Sequence, residues 1–296
     1  MTYVIIGGGP AGVVAAETIR TRDPNSTVII ITNEGDAPHS RMAIPYYLTG
    51  KIDQSGTHLR KELNHFRSHE IEIIYETVDM VDDKESKVFL NNGSIISYDM
   101  LLIASGARPV KPPISGLDNP GVVHCWTLAD AQEIIKGAYT GASVVLMGAG
   151  FIGCIILESL LQRGVNLTVV ESEDRMVPRM MNSVAGNMIR EWCISKGVRV
   201  LTSTRANAIQ YSNSTLSVDI DSGDTISADL VVIATGVQSN TSFLSETSVL
   251  INEGIIIDAD NFEYNKITNV MIANSNVKIK DTINDYLILT NKAVYY

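Results

Sequence analysis

The sequence predicts an α/β fold of two nested, Rossmann-like domains, each built on a parallel sheet in the middle of three layers. Three observations predict it. The apolar run Val4-Ile5-Ile6 ends in glycines spaced G-x-G-x-x-G, at Gly7, Gly9 and Gly12. The run Val144 to Met147 ends in the same spacing, at Gly148, Gly150 and Gly153. Each copy later closes on a matched string, Asp99-Met100-Leu101-Leu102-Ile103-Ala104-Ser105-Gly106 and Asp229-Leu230-Val231-Val232-Ile233-Ala234-Thr235-Gly236. One glycine motif is a weak signal. Two, each with its own closing string, point to two dinucleotide-binding sites in one chain.

The elements follow in order. A buried parallel strand from Tyr3 to Ile6 feeds the first turn. Gly7 permits the turn, Gly9 leaves room for backbone to approach a pyrophosphate, and Gly12 lets the next helix pack closely on the strand. That helix covers Val13 to Arg20, its N-terminal amides aimed at the phosphates. Arg22-Asp23-Pro24-Asn25 breaks it, and Thr27 to Ile31 is the second strand. A ribose needs an acid past that strand. Glu34 stands there, 22 positions after Gly12. Asn91-Asn92-Gly93 turns a hairpin between two short strands. The strand after Asp99 ends in Ala104, Ser105 and Gly106, small residues that let backbone run beside a ligand.

Pro109, Pro112, Pro113 and Pro120 mark a linker. A short helix from Leu128 to Gly137 follows. The second turn opens a helix over Ile152 to Gln162, which stops at Arg163-Gly164. The strand Asn166 to Val170 runs into Glu171, 18 residues past Gly153. A carboxylate there accepts both ribose hydroxyls and repels a 2′-phosphate, so the second site leans towards NAD. Arg175, close by, weakens that lean. A second hairpin turns at Asp221 to Asp224, ahead of the strand to Gly236. The domains divide as 1–112 with 239–296, and 113–238.

The 296 residues suffice for two cores. With 45% hydrophobic and 19% charged residues the chain is globular, not disordered. A net charge of -10 without a basic run argues against nucleic-acid and membrane surfaces as partners. No targeting segment is read ahead of the first strand, and no apolar run is long enough to cross a bilayer. Cys125, Cys154 and Cys193 have neither zinc nor disulphide spacing, which points to free thiols in the cytoplasm. His39, His58, His65, His69 and His124 lack ligand-like spacing and read as surface or satisfied structural residues, so no metal site is expected.

These residues closely resemble the pyridine nucleotide–disulphide oxidoreductases, from Met1 to about Gln238. The resemblance implies FAD in the first site, held about Gly7, Gly9, Pro10, Ala11, Gly12, Glu34, Arg41, Val78, Ala104, Ser105 and Gly106. It implies a nicotinamide cofactor, NADH favoured over NADPH, in the second. The residues there are Gly148, Gly150, Phe151, Ile152, Gly153, Glu171 and Gly236. The family's disulphide reductases carry a C-x4-C pair after the first acid. Its NADH oxidase and coenzyme A-disulphide reductase branch carries one cysteine ahead of a Pro-Tyr-Tyr-like stretch. In Arg41-Met42-Ala43-Ile44-Pro45-Tyr46-Tyr47, Met42 takes that place. A thioether forms neither thiolate nor disulphide. What remains resembles the ferredoxin, rubredoxin and nitrite reductase branch, where NAD(P)H reduces FAD and electrons pass to a separate acceptor, an electron-carrier protein or a small molecule. No side chain is singled out as catalytic, because the cofactors carry the chemistry.

The resemblance weakens after Asn269. A family strand ending in Ala-Gly-Asp reads Met271-Ile272-Ala273-Asn274-Ser275 here. Ser275, or Asn276 with one insertion, takes the aspartate's place, and Asn274 the glycine's. The family's C-terminal interface domain has no counterpart in the sequence. Three readings stand. The tail is a divergent flavin segment. Or it is truncated or altered in frame. Or the chain is a non-catalytic nucleotide binder without stable FAD. A partner subunit that completes the flavin pocket is a further possibility.

Overall fold

The computed structural model describes residues 1–62, 64–249 and 251, and beyond them the backbone of four strands between 257 and 295. The chain forms two compact units. One is Met1–His39 with Leu59–Ala107 and Ser239–Tyr296; the other is Ser40–His58 with Arg108–Gln238.

The first unit holds strands β1 (Thr2–Ile6), β2 (Thr27–Thr32), β3 (Ile71–Tyr75), β4 (Val78–Asp82), β5 (Lys87–Leu90), β6 (Ile95–Ser97) and β7 (Met100–Ile103). Its helices are α1 (Pro10–Arg22) and the single turn α3 (His65–Ser68). A parallel sheet runs β3-β2-β1-β7, with Val4 opposite Ile29 on one side and Leu101 on the other. Both faces of β1 and β2 are apolar, as a sheet covered on both sides requires. Ile5, Val28 and Ile30 pack on Val13 and Ala16 of α1. Val4, Ile6, Ile29 and Ile31 pack on Val81, Val88 and Leu90 of the antiparallel sheet β4-β5-β6. Each such buried Ile or Val contributes about 1.5–3 kcal/mol relative to exposure. The layers are therefore helix, parallel sheet, antiparallel sheet.

The second unit repeats this plan. It holds α2 (Ile44–Leu48), β9 (Val122–His124), α4 (Leu128–Gly137), β10 (Ser143–Met147), α5 (Phe151–Gln162), β11 (Asn166–Val170), α6 (Ser183–Ser195), β12 (Arg199–Leu201), β13 (Ala206–Ser212), β14 (Thr215–Ile220), β15 (Thr225–Ala228) and β16 (Leu230–Ile233). Two short strands, β8 (Ala107–Pro109) and β17 (Val237–Ser239), lie where the chain leaves and re-enters the first unit. The parallel sheet runs β12-β11-β10-β16-β9. Val144, Leu146, Leu167 and Val169 pack on Leu128, Ile134, Leu157 and Leu160 of the helices. Val145, Met147, Val170 and Val231 pack on Leu216, Val218 and Ile226 of β13-β14-β15.

Two departures from the sequence reading follow. Ser40–His58, assigned by sequence to the first domain, clusters with the second unit. The reason is apolar burial: Ile44 and Leu48 of α2 join the core of α4 and α5. Arg163 adds to this by donating to Leu48 O at 2.8 Å. The second departure is the tail. The strands β18 (Ile257–Asp258), β19 (Asn261–Asn265), β20 (Val270–Lys280) and β21 (Leu287–Tyr295) form an antiparallel sheet about β20. The expected return strand over Met271 to Ser275 therefore lies in that sheet, not beside β7. The side chains of Asn274, Ser275 and Asn276 lie outside the described residues.

The two nucleotide turns as candidate functional site

The same three hydrogen bonds build each turn. Gly7 N donates to Ile31 O and Gly148 N to Val170 O, both at 2.8 Å. Ala104 N donates to Ile6 O and Ala234 N to Met147 O, again at 2.8 Å. Val13 N donates to Gly9 O and Cys154 N to Gly150 O, at 3.0 Å, which starts each helix. Pro10 stands at the first position of α1, where a missing N–H costs nothing. Ala11 beside it is exposed, as is Phe151 in the matching turn of α5; Ile152 is half-buried.

The glycines of each turn divide by cause. Gly7 and Gly148 have φ of 121° and 97°. A Cβ on Gly7 would lie 2.1 Å from Ala104 O, and one on Gly148 2.5 Å from Ala234 O. A Cβ on Gly12 would lie 1.9 Å from Gly7 O, and one on Gly153 2.1 Å from Gly148 O. The fold itself requires these four. Gly9 and Gly150 are different. Their φ values are -78° and -70°, which any residue adopts, and a Cβ on either would meet nothing within 4 Å. Both are helix N-caps, a position that favours glycine over apolar residues, but no steric demand of the fold requires it there. The open space lies at a helix N-terminus, where backbone N–H groups and the helix dipole favour a phosphate. Both turns therefore fit a dinucleotide pyrophosphate.

The acids are not equivalent. Hydrogen-bond register makes Ile31 the counterpart of Val170, so Glu171 corresponds to Thr32, and Glu34 to Glu173. Glu171 is buried, and its carboxylate accepts from Ala149 N at 2.6 Å and Glu173 N at 2.8 Å. It thus closes onto its own glycine turn. Arg175 is tied to its loop: it donates to Asp174 Oδ1 (2.5 Å), Met181 O (3.0 Å) and Pro178 O (3.1 Å). The cation that weakened the lean towards NAD in the sequence is thus already engaged. Glu34 lies 3.1 Å from Nε2 of the buried His39.

The remaining candidates fall as follows. Ser105 donates its hydroxyl to Asn240 O at 2.6 Å, while Asn240 donates to Ser105 O and to Gly106 O. That clasp joins the closing loop of the first unit to the chain returning at residue 240. Gly236 O accepts from Val110 N at 3.0 Å in the second unit. Val78 opens β4 and packs on the first unit's core. Arg41 belongs to the second unit, where its guanidinium lies 5.1 Å over the Trp126 ring and Nε donates to Trp126 O.

Thiol chemistry finds no support. Burial pushes the Cys125 thiol up to about 12 and Cys154 up to about 11, and raises Cys193 as well. Met42 is 68% exposed. Among the described residues no cluster of three or more His, Cys, Asp or Glu could hold a metal, and no helix is long and apolar enough to cross a membrane. The expectation that the histidines are surface or satisfied fails at His39, His58 and His124. Each has a buried ring nitrogen without a hydrogen-bond partner. No sequence signal separates these from ordinary loop histidines.

The profile of the pyridine nucleotide-disulphide oxidoreductases matches residues 1–273. Rhodocoxin reductase of Rhodococcus erythropolis is 31% identical over 261 residues, 87% of this chain and 61% of that protein. A NAD-dependent persulfide reductase from A. fulgidus superposes with a TM-score of 0.81 at 30% identity, over 88% of this chain and 50% of that one. A ferredoxin reductase from Rhodopseudomonas palustris gives 0.80 at 26% identity, over 86% and 63%. The chain thus spans one half to two thirds of the length of these relatives. The duplicated glycine turns, the two closing loops and these matches agree: the chain belongs to the pyridine nucleotide-disulphide oxidoreductase family.

Proposed function

We propose that the chain binds FAD at the first turn and NADH at the second, and works as an NADH-dependent flavoprotein oxidoreductase with a separate electron acceptor. The domains of that reading are 1–112 with 239–296 for FAD and 113–238 for the nicotinamide nucleotide, with Ser40–His58 packed in the latter's core. The observation that carries it is the pair of glycines, Gly9 and Gly150, each at a helix N-terminus with open space where a side chain would stand, which leaves room for a ligand against the backbone.

With both cofactors bound, the chemistry available is hydride transfer from nicotinamide to flavin. The chain's own residues do the holding. Amides at the starts of α1 and α5 take the pyrophosphates. Glu171 and Glu34 accept ribose hydroxyls. Ala104 to Gly106 and Gly236 bring backbone alongside the ligands. Arg41 and Val78 are assigned to the flavin side by the resemblance alone. The NADH preference rests on Glu171, held by two backbone N–H groups, and on Arg175, committed to its own loop. An electron-carrier protein as acceptor is supported by the names of the rhodocoxin and ferredoxin reductases. It is supported also by the absence of an ionisable thiol among Cys125, Cys154 and Cys193.

A second reading has its own observation. Leu230 to Ile233 of β16 are all buried, with β10 and β9 on either side. The counterpart strand β7 has only β1 beside it among the described residues, and Met100 is 53% exposed. A first unit lacking that strand favours a nucleotide binder that holds FAD poorly, or one that needs a partner subunit. An absorbance spectrum before and after anaerobic NADH separates the readings. Flavin bands that bleach support the reductase. A protein that stays colourless with added FAD leaves the nucleotide binder.

A further inference from the structure

The two units hold their acids by different means. Glu171 is fixed by backbone, from Ala149 N and Glu173 N. The register counterpart of Glu171 in the first unit is Thr32, which offers no carboxylate. A Cβ on Gly8 would lie 3.1 Å from Thr32 Oγ1, so the Thr32 side chain stands close against the first turn. The acid of the first unit comes two residues later, on the loop after β2.

A histidine side chain lies against it. The loop turns inward at Pro38 and His39, both buried, and is pinned where Leu59 N donates to Pro38 O at 2.9 Å. His39 is 6% exposed. Its Nδ1 lies 3.2 Å from Ala37 O, a carbonyl that can only accept, so Nδ1 carries a hydrogen, and Nε2 can then donate to a carboxylate only in the imidazolium form, where both nitrogens carry one. Its Nε2 lies 3.1 Å from Glu34 Oε2. That is ion-pair distance, but off the line of a hydrogen bond, and Nε2 has no hydrogen-bond partner. A buried polar atom left this way asks for an explanation. Here a carboxylate oxygen, Glu34 Oε2, stands at 3.1 Å.

We infer that His39 is a positioning residue for the adenosine ribose of the first site, holding Glu34 in place to accept the ribose hydroxyls. The inference rests on the reading of the first turn as an FAD site. His39 does not reach the ligand, because its Nε2 is shut off from solvent. It acts through Glu34. When Glu34 turns to take the 2′-hydroxyl, its other oxygen comes into line with Nε2–H of the imidazolium, and the orphaned nitrogen donates its bond as one half of an ion pair. Ribose recognition and the buried imidazole are thereby coupled, a device the second unit lacks.

The test compares FAD with its 2′-deoxyadenosine analogue, titrated into the full-length apoprotein and read by flavin fluorescence. The unmodified chain should prefer FAD by about tenfold, the size of one lost hydrogen bond to a charged group. His39→Phe should weaken FAD by about tenfold and leave the analogue within about twofold, so the preference disappears. His39→Gln, which keeps a donor towards Glu34, should keep the preference. Glu34→Gln should lose it, and adding His39→Phe to Glu34→Gln should cost nothing more. A preference that survives His39→Phe, or equal weakening of both ligands, overturns the inference, since a merely structural histidine affects both alike. If His39→Phe does not fold, a loss of preference in the folded His39→Gln chain overturns it, and retention with loss in Glu34→Gln supports it. An unmodified chain that binds both ligands equally overturns the inference and leaves the FAD site standing. One that binds neither overturns the FAD reading itself.

Discussion

The two units are built on one plan and differ at one edge and one acid. Both begin with a strand whose first amide is held by an aspartate, and both turn on a glycine that abuts an Ala carbonyl. Both lay an antiparallel sheet over one face of the parallel sheet. In the second unit every position of the closing strand is buried and the acid is locked to the backbone. In the first, the closing strand has β1 alone beside it among the described residues, and the acid lies against a histidine side chain. The difference teaches which parts of the plan the fold needs and which parts the ligand needs. The shared hydrogen bonds belong to the fold. On the proposed reading the open glycine and the acid serve the ligand; the glycine is the same in both copies, and the acid is where they have diverged.

The harshest way to break the comparison is to crowd the turns. In Gly12→Ala a Cβ would fall 1.9 Å from Gly7 O, and in Gly153→Ala 2.1 Å from Gly148 O. Backbone oxygen cannot swing away as a side chain can, so helix and turn must separate. We expect each variant to lose the ligand of its own unit, with about 1–3 kcal/mol of destabilisation from overpacking. Separate titrations of FAD and NADH, with calorimetry, check this. Gly12→Ala abolishing NADH binding while FAD binding stayed intact would reverse the site assignment. The matched substitution at the open glycines, Gly9→Ala and Gly150→Ala, should leave stability within about 0.5 kcal/mol and still impair binding.

A smaller effect separates the acids. Glu171→Ala strips the acceptor from two N–H groups, one of them at the heart of the turn. Hydrogen bonds to a charged group contribute about 1.5–3 kcal/mol, so NADH affinity should fall by about 10- to 100-fold and discrimination against NADPH should shrink. Glu34→Gln should touch FAD alone. Equal NADH and NADPH kinetics before and after the Glu171 change would remove the cofactor assignment.

The plan was legible in the sequence and the divergence was not. Glycine spacing, the apolar runs and the closing strings exposed both turns, because each answers to a local steric demand. The hairpins at Gly93 and Gly223 were legible for the same reason: both carry positive φ. Three things were hidden. Spacing made Glu34 and Glu171 look like one feature, whereas register sets them two positions apart, since α1 is one residue longer than α5 and the loops differ. His39 reads as a loop polar residue, because nothing in Ala37-Pro38-His39 announces that the loop folds inward. The allegiance of Ser40–His58 depends on where Ile44 and Leu48 find a core, a tertiary matter that no local pattern records.

The thiols sharpen the comparison by pH. All three cysteines lie in the second unit. Burial raises their pKa values, to about 12 at Cys125 and about 11 at Cys154. A pKa raised on folding leaves stability whole below the unfolded value, here 9.0, and removes it as pH climbs towards the folded value. From pH 9 to pH 10 each of these two thiols should remove roughly 1 kcal/mol from the second unit. Hydrogen exchange across that window should show the second unit opening first. At pH 8, iodoacetamide should label all three thiols only after unfolding. Rapid labelling of native Cys154 would contradict its burial.

The smallest effect tests whether the shared hydrogen bonds are interchangeable. Asp99 Oδ2 accepts from Thr2 N at 2.7 Å while Asp99 N donates to Thr2 O at 2.9 Å. Asp229 Oδ2 accepts from Ser143 N at 2.8 Å while Asp229 N donates to Ser143 O at 2.8 Å. Each aspartate thereby ties the first residue of the central strand to the start of the closing strand. Both are exposed, so water competes and the gain from charge is small. Asn keeps an acceptor oxygen, and Ala removes it. We expect Asp99→Ala and Asp229→Ala each to cost about 1 kcal/mol, and the Asn variants about half of that. Denaturant unfolding of the four variants measures the difference. Agreement within about 0.5 kcal/mol between the units would show that β7 is anchored as well as β16. A markedly larger cost at Asp99 would mean that the first unit, with fewer neighbours on its closing strand, relies on this tie where the second has β9 to hold it.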